Sequence, residues 1–532
     1  CHFVHDKIRE ALLGTMTAEQ RTDLHLRAAE HIERRDPTRI FELAYHFDAA
    51  GAVERALPYT LASAEHARRQ HNLEIAEAHY RMAERAAAGV ATSTRRLVAE
   101  GLGDVLTLRG AYDEAAIQFR RALEQSSDRV QRAEIEGKLG DVSFRCGDMV
   151  GARNHLEGAL RQLRVRMPFT MLGVVLALIW ELFVQALHTA FPGRFVGRKP
   201  IEESGSQLQA IRIYSRLAYV YWFHSGKIRC GWAHFREMNL AERYEPSLEL
   251  AQAYSEHAPV MTMIPWFSRG LDYVERSLAI RKSLGDVWGQ GQSLSFHGVG
   301  LYAASRYREA IERCQEAKRL MERTGDRWEV NTAGWNTAFA QYRLGELRKA
   351  VDTARNVHRA ALEIGDQAAA GIALSAWSRA SDGRVPAELI QAQLERGELE
   401  DASTNAEVHL AEAVRLLGAG EIDAAIEVLR TARRAVRRAG LRQEYVAPIL
   451  PWLATAFRIR AERLSAHSSV PRRQMLAAVV VGVQAAVVAR SYRNNLPHAL
   501  REQGLLAALD GRYRTAQRRL AASLRVADSQ DA

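Results

Sequence analysis

Cysteine is scarce in this chain: four residues in 532, Cys1, Cys146, Cys230 and Cys314, no two of them close together. That excludes a disulfide framework and any CxxC zinc or redox motif, and it sets a reducing compartment, the cytoplasm, as the expectation. No charged stretch leads into an apolar run at the start, so no signal peptide is read there. The chain opens on Cys1 and reads as a piece of a longer protein. Lysine is nearly absent, with seven among 73 basic residues. The arginine bias is that of a GC-rich bacterial genome rather than of phosphate binding. Catalytic signatures are also missing: no HExxH, no GxSxG, no SxxK and no Gly-rich loop between a strand and a helix. His5-Asp6 is the one hint of a metal-dependent phosphohydrolase, and it has no recognisable partner ligands. The chain is therefore expected not to be an enzyme, with no catalytic, cofactor-binding or metal-binding residue.

What is present is a globular balance of 47% apolar and 26% charged residues, with a net charge of +10. The charge is uneven. Residues 421–532 hold 19 Arg against 9 Asp and Glu, so the rest of the chain is neutral. Basic tracts such as Arg433, Arg434, Arg437 and Arg438 lack the interleaved aromatics of a nucleic-acid face and read as solvated helix surfaces, which disfavours a nucleic-acid partner.

A period of 40 residues runs through the middle of the chain. Gly285-Asp286, Gly325-Asp326 and Gly365-Asp366 recur at that spacing, with Trp288 and Trp328 following the first two. Gly can close one helix in the left-handed conformation and Asp can cap the next, so each pair predicts a helix-to-helix corner. Between corners lie two amphipathic stretches joined by a short turn, as at Leu301–Tyr307. No strand-like alternation of useful length occurs, and the chain reads as all-α.

These hairpins resemble the tetratricopeptide repeat. Gly103, Gly110, Tyr112, Ala115, Phe119 and Ala122 fill its small, turn, aromatic and bulky positions in order, and so do Gly140, Gly147, Met149, Ala152, Leu156 and Ala159. Gly504 to Ser523 and Ala413 to Ala432 repeat the pattern, and Ala44 to Ser63 fits it. Ala218, Ala258, Gly298 and Ala338 are the small position of the 40-residue repeats, which resemble the long-helix repeats of animal polarity and kinesin-type adaptors. The resemblance implies a right-handed α-solenoid of about ten to twelve hairpins, with degenerate stretches at 370–398 and 447–490. In it the bulky residue fills the gap against the neighbouring hairpin.

A second resemblance concerns the beginning. Phe3-Val4-His5-Asp6-Lys7-Ile8-Arg9-Glu10-Ala11-Leu12-Leu13, then Arg21, Leu24, His25 and Ala28, resembles the end of the winged-helix segment of bacterial STAND (AAA-like) signalling ATPases. Phe41-Glu42-Leu43-Ala44-Tyr45-His46-Phe47 resembles the first repeat helix there. No G-x-x-x-x-G-K-[ST] occurs, so the resemblance places the ATP site in a module outside this chain, and no cofactor is expected within it. It implies the sensor and protein-interaction arm of a signal-transduction ATPase; a stand-alone scaffold, associated with a membrane surface through residues 169–190, is the alternative. The segments read as 1–36, the junction; 37–163, N-terminal repeats; 164–204, an apolar inserted helix and linker; 205–382, the central repeats; and 383–532, basic C-terminal repeats.

Two features are candidates for function. Counting from the small position, the concave face of the central repeats carries Tyr219, Trp222 and Phe223, then Thr262 and Met263, then Tyr302, then Trp335, Phe339, Tyr342 and Arg343. Aromatics and Arg dominate binding hot spots, so this strip is the predicted grip for a protein or peptide partner or a small inducer, unless a neighbouring helix already covers it. The other feature is the apolar run after Met167-Pro168, where Glu181, Gln185 and His188 share one helical face and Leu172, Leu176, Ile179, Phe183 and Leu187 another. Its uninterrupted part, Phe169 to Trp180, is short for a span. It reads as an amphipathic helix packed on the solenoid, or as one lying on a membrane surface.

Overall fold

The computed structural model describes residues 14–395, 402–465 and 470–531. Phe3–Leu13, with the His5-Asp6 pair and most of the winged-helix resemblance, lies outside them. Among the described residues there are α-helices, three short 3-10 turns and no β-strand; Lys199 and Tyr244 form an isolated bridge. Successive helices pack antiparallel as hairpins, and hairpin stacks on hairpin, so the protein is an all-α solenoid of tetratricopeptide-like hairpins.

The Gly-Asp corners form as the spacing predicts. Gly285, Gly325 and Gly365 adopt φ of 69°, 79° and 73°, open to Gly at little cost. Asp286, Asp326 and Asp366 then accept backbone N–H bonds from Gly289, Glu329 and Ala369 at 2.9, 3.2 and 3.0 Å. Each such cap is worth ~1 kcal/mol to the helix it starts.

The repeat's small and bulky positions also have a visible purpose. A Cβ added at Gly103 would lie 2.6 Å from the Phe119 ring, at Gly140 2.7 Å from Leu156 Cγ, at Gly298 2.3 Å from Cys314 Sγ, and at Gly504 2.7 Å from Leu520 Cγ. Each bulky residue thus seats on the small residue of its own hairpin. This corrects the expectation that it fills the gap to the next one: the first helix passes so close that only a missing side chain leaves room.

The chain divides into two compact units between Ile135 and Glu136. The division falls inside the helix Arg129–Arg145, where the repeat pattern runs unbroken, so no compositional signal marks it. The first unit holds helices Ala18–Arg35, Ile40–Ala49, Val53–Arg69, Leu73–Ala86, Thr92–Arg109 and Tyr112–Glu124. Thr17 and Gln20 close a capping box on the first of these, and Ala29, Leu43, Phe47 and Ala56 form the core under it.

In the second unit the central hairpins are Ser206–His224 with Lys227–Ala241, Leu248–Thr262 with Phe267–Ser283, Val287–Ala303 with Tyr307–Thr324, and Arg327–Arg343 with Leu347–Glu363. The two stretches read as degenerate are helical as well, with Gln367–Ala380 and Ala387–Glu395 in one and Ile449–Ser465 and Arg472–Ala489 in the other. The hairpins curve tightly within this unit. Helix Ser206–His224 reaches helix Ala402–Ala419, and a Cβ on Gly226 would lie 3.1 Å from the carbonyl oxygen of Gly440. The inner face is consequently an interior, and that decides the fate of the aromatic strip.

Candidate functional site

The strip divides into two parts. Tyr219, Trp222, Phe223 and Trp335 line a cavity together with Phe144, Phe296 and Trp328. Phe144, on helix Arg129–Arg145, is the hub: its ring centroid lies 5.5 Å from Tyr219, 5.6 Å from Phe223 and 5.7 Å from Trp328. The cavity is about 70 Å³. It is well below the ~300 Å³ of a drug-sized pocket and suits a few waters or the end of one side chain.

The rest of the strip is covered by the protein's own chain. Tyr302 and Phe339 are buried beneath Tyr445, whose ring lies 6.2 Å from Tyr302, 6.0 Å from Phe339 and 5.2 Å from Trp335. Tyr445 sits in the non-helical segment 439–448 and donates its hydroxyl to Asn336 Oδ1 at 2.9 Å. The Arg343 guanidinium donates to the carbonyl of Asn494 and to Asn495 Oδ1, each at 2.7 Å. Tyr342 is half-buried beside Arg343 and Arg379. Met263 is buried and does not line the cavity. Of the two alternatives left open by the sequence, the strip is in part a small cavity and in part covered by the chain itself, with Tyr445 belonging to both.

Sequence reasoning missed Phe144, Phe296, Trp328, Tyr445 and the acids. Trp328 was visible only as a repeat marker, and Tyr445 lies in an aperiodic stretch that carries no positional signal. Glu256 and Asp366 reach the cavity wall. Asp366 spends Oδ1 on the cap of its helix, and burial pushes its carboxyl up to about 7. Burial likewise pushes the Tyr219 hydroxyl well above its ordinary value.

An ionic network stiffens the helix that carries Phe144. Arg145 bonds Asp141 at 3.1 Å and Asp326 at 3.2 Å, and its guanidinium lies 5.2 Å from the Trp328 ring centroid. Burial alone would raise the Asp141 carboxyl, but Arg216 and Arg145 outweigh it and hold it below its usual range. Asp326 also accepts from the Trp288 indole at 3.1 Å, so the two Trp-bearing corners share one carboxylate.

One group of side chains has the composition of a metal site: His234, Glu237 and Glu256, all buried, offer atoms within 4.8 Å of one another. The protons argue against that use. Arg269 donates to His257 Nε2 at 3.0 Å, so the other His257 nitrogen carries the hydrogen and donates to His234 Nε2 at 2.9 Å. The hydrogen of His234 is thereby left on Nδ1, the atom that faces Glu237 at 3.8 Å. A ligand would need that position bare. Burial, and after it the neighbouring Glu256, raise the Glu237 carboxyl well above its usual value.

No family model and no curated protein matches the chain. Solved structures do resemble it. A Signal Transduction ATPase with Numerous Domains (STAND) protein with a tetratricopeptide repeat sensor, from Pyrococcus horikoshii, is 13% identical over 80% of this chain and 57% of that one, with a TM-score of 0.38. A Rap protein complexed with Competence and Sporulation Factor is 11% identical over 89% of this chain and 99% of that one, at 0.33. The APC/C hetero-tetramer Cut9–Hcn1 is 12% identical over 97% and 95%, at 0.42. Scores below 0.5 at such identities transfer no function.

Proposed function

We propose that this chain is a protein-interaction and sensing module that captures an aromatic or aliphatic side chain of a partner segment in the cavity between Phe144, Trp222 and Trp328. The observation that carries this reading is the concentration of seven aromatic side chains around one small internal space whose wall continues into a separately anchored plug, Tyr445. Aromatic walls remove much apolar area from water for few rotors frozen. The cavity is too small for a whole ligand, so a partner side chain entering it competes with Tyr445 for the same aromatic walls. Such competition couples binding to release of the segment 439–448, which is a population shift between a plugged and an occupied state.

The resemblance of the first residues to the STAND winged-helix junction motivates the wider setting. In it, a nucleotide-binding module outside this chain receives the signal, and this chain holds no ATP of its own. Binding rather than bond-making is the role proposed, in the cytoplasm, with a protein or peptide partner.

The test is selection of peptides from a displayed random library against the purified chain. Selected peptides should carry an aromatic or large aliphatic anchor, and Trp222→Ala and Trp328→Ala should each weaken them by about 10- to 100-fold. Peptides that bind both variants as tightly as the parent would sink the reading.

A further inference from the structure

The helix Met171–Ala190 is packed inside out. It is long and apolar enough, by length and composition, to cross a membrane, yet its buried side is the polar one: Glu181, Gln185 and His188 are all less than a tenth exposed. Glu181 accepts from Arg236 at 3.1 Å and from Asn239 at 2.8 Å, both on helix Lys227–Ala241, and Asn239 also bonds the Glu181 carbonyl at 2.8 Å. His188 Nδ1 lies 2.7 Å from Glu242. These bonds fix the rotation of the helix. Its outer side then presents Leu172, Leu176, Ile179, Trp180 and Phe183, each more than half exposed, with Phe169 just ahead of them 90% exposed. A contiguous apolar stripe of this kind marks an interaction surface rather than an ordinary solvent face.

Charge decides what fits on it. Arg164 and Arg166 precede the helix, and Arg194, Arg198 and Lys199 follow it; all five are exposed, and among the described residues none pairs with a carboxylate. The only acid between residues 161 and 200 is Glu181, which is buried and already paired. A second copy of the chain laid antiparallel on this stripe would bring the Arg164 and Arg166 end against the Arg194 and Arg198 end, cation on cation, with the nearest exposed acids, Glu202, Glu203 and Glu245, only beyond Lys199. A bilayer surface with anionic headgroups satisfies both features at once, as apolar side chains enter the acyl boundary while both ends meet negative charge.

We propose that the helix Met171–Ala190 is a monotopic membrane anchor that lies flat on an anionic bilayer surface by its Leu172 to Phe183 face. The polar face stays locked to the protein, so the helix docks without spanning. This inference does not depend on the cavity or its partner.

The experiment is co-flotation of the full chain with vesicles of phosphatidylcholine alone and of phosphatidylcholine mixed with phosphatidylglycerol. Binding is expected on the mixed vesicles, at least tenfold weaker on phosphatidylcholine alone, and lost at high salt as the headgroup attraction is screened. Ile179→Glu with Phe183→Glu should abolish it. Arg194→Glu with Arg198→Glu should weaken it at least tenfold while leaving the stripe intact. Both pairs are at exposed positions, and unchanged circular dichroism confirms their folding. A control is Val480→Glu with Val483→Glu, on the exposed apolar side of helix Arg472–Ala489, which should float like the parent. Failure of the parent to float overturns the proposal. So does binding that survives Ile179→Glu with Phe183→Glu or is lost in the Val480 and Val483 control, and so does a dimer dissolved by the Ile179 and Phe183 pair without any vesicle binding.

Discussion

The Tyr445 ring lies parallel to the Tyr302 ring, with planes 6° apart and centroids separated by 6.2 Å. One loop residue thereby covers the inner face of two successive hairpins, because the same ring also meets Trp335 edge-on and Phe339 at an angle. The plug is an aromatic cluster with a single removable member.

Tyr445→Ala should therefore destabilise the protein by about 3 kcal/mol, in the range for truncating a packed aromatic. Tyr445→Phe should cost only about 1 kcal/mol, the net value of the hydroxyl bond to Asn336. Urea unfolding measures both. If the plug masks apolar walls, Tyr445→Ala should also raise binding of the dye 1-anilinonaphthalene-8-sulfonate under native conditions, while Tyr445→Phe should not. Equal destabilisation by the two variants would mean that the ring contacts contribute little.

Two glycines of one hairpin should respond oppositely to the same change. Gly140→Ala places a Cβ 2.7 Å from Leu156 Cγ and should destabilise by about 1–3 kcal/mol despite the better helix propensity of Ala. Gly158 meets only the end of the Arg161 side chain, at 3.9 Å, so Gly158→Ala should stabilise by roughly 0.5–1 kcal/mol. Adding Leu156→Ala to Gly140→Ala relieves the clash and separates it from any effect on the backbone. Thermal melts that move in one direction for both single variants would contradict the packing account.

How much of this was readable beforehand follows from the range of the interactions. The corners at Gly285, Gly325 and Gly365 and the pairing of Gly103 with Phe119 are contacts within one hairpin, so fixed spacings announce them. The two faces of the helix Met171–Ala190 were equally readable, since they are a matter of period alone. Which face turns inward was not, because Arg236, Asn239 and Glu242 meet it from 54 to 58 residues away. Tyr445 was further out of reach: it has no place in a repeat, and its partner Asn336 is 109 residues distant. Whether the aromatic strip is covered depends on how tightly the hairpins curve, and that curvature is the sum of many small interhelical angles.

Stability should depend on pH through Asp366. Its carboxyl titrates near 3.8 in an ordinary setting and near 7 in the folded chain, where burial is the main cause. Between those values the folded state holds a proton that the unfolded state has shed, so this group makes stability fall as pH rises from about 4 to about 7 and level off above. The full effect is on the order of 2–4 kcal/mol. Asp366→Asn keeps a capping oxygen for the Ala369 N–H and removes the titration, so its stability curve should lose that part of the slope. Glu329 and Glu444, also raised to about 7 by burial, keep theirs. An unchanged slope in Asp366→Asn would show that the carboxyl titrates normally in the folded chain.

Arg145 gives the sharpest double-mutant test. It is buried and bonds Asp326, which has no exposure at all and caps a helix while receiving the Trp288 indole. Arg145→Met should cost about 3–5 kcal/mol, because the Asp326 charge remains in the interior without its cation. Adding Asp326→Asn removes that charge yet leaves an amide oxygen for the cap, so the double variant should recover at least half of the loss. It should also retain the packing of Phe144 on Tyr219 and Trp328, readable in the near-ultraviolet circular dichroism of these rings. Additive losses in the cycle would instead show that Arg145 stabilises chiefly through Asp141 and the Trp328 face, since neither of those contacts is touched by the change at Asp326.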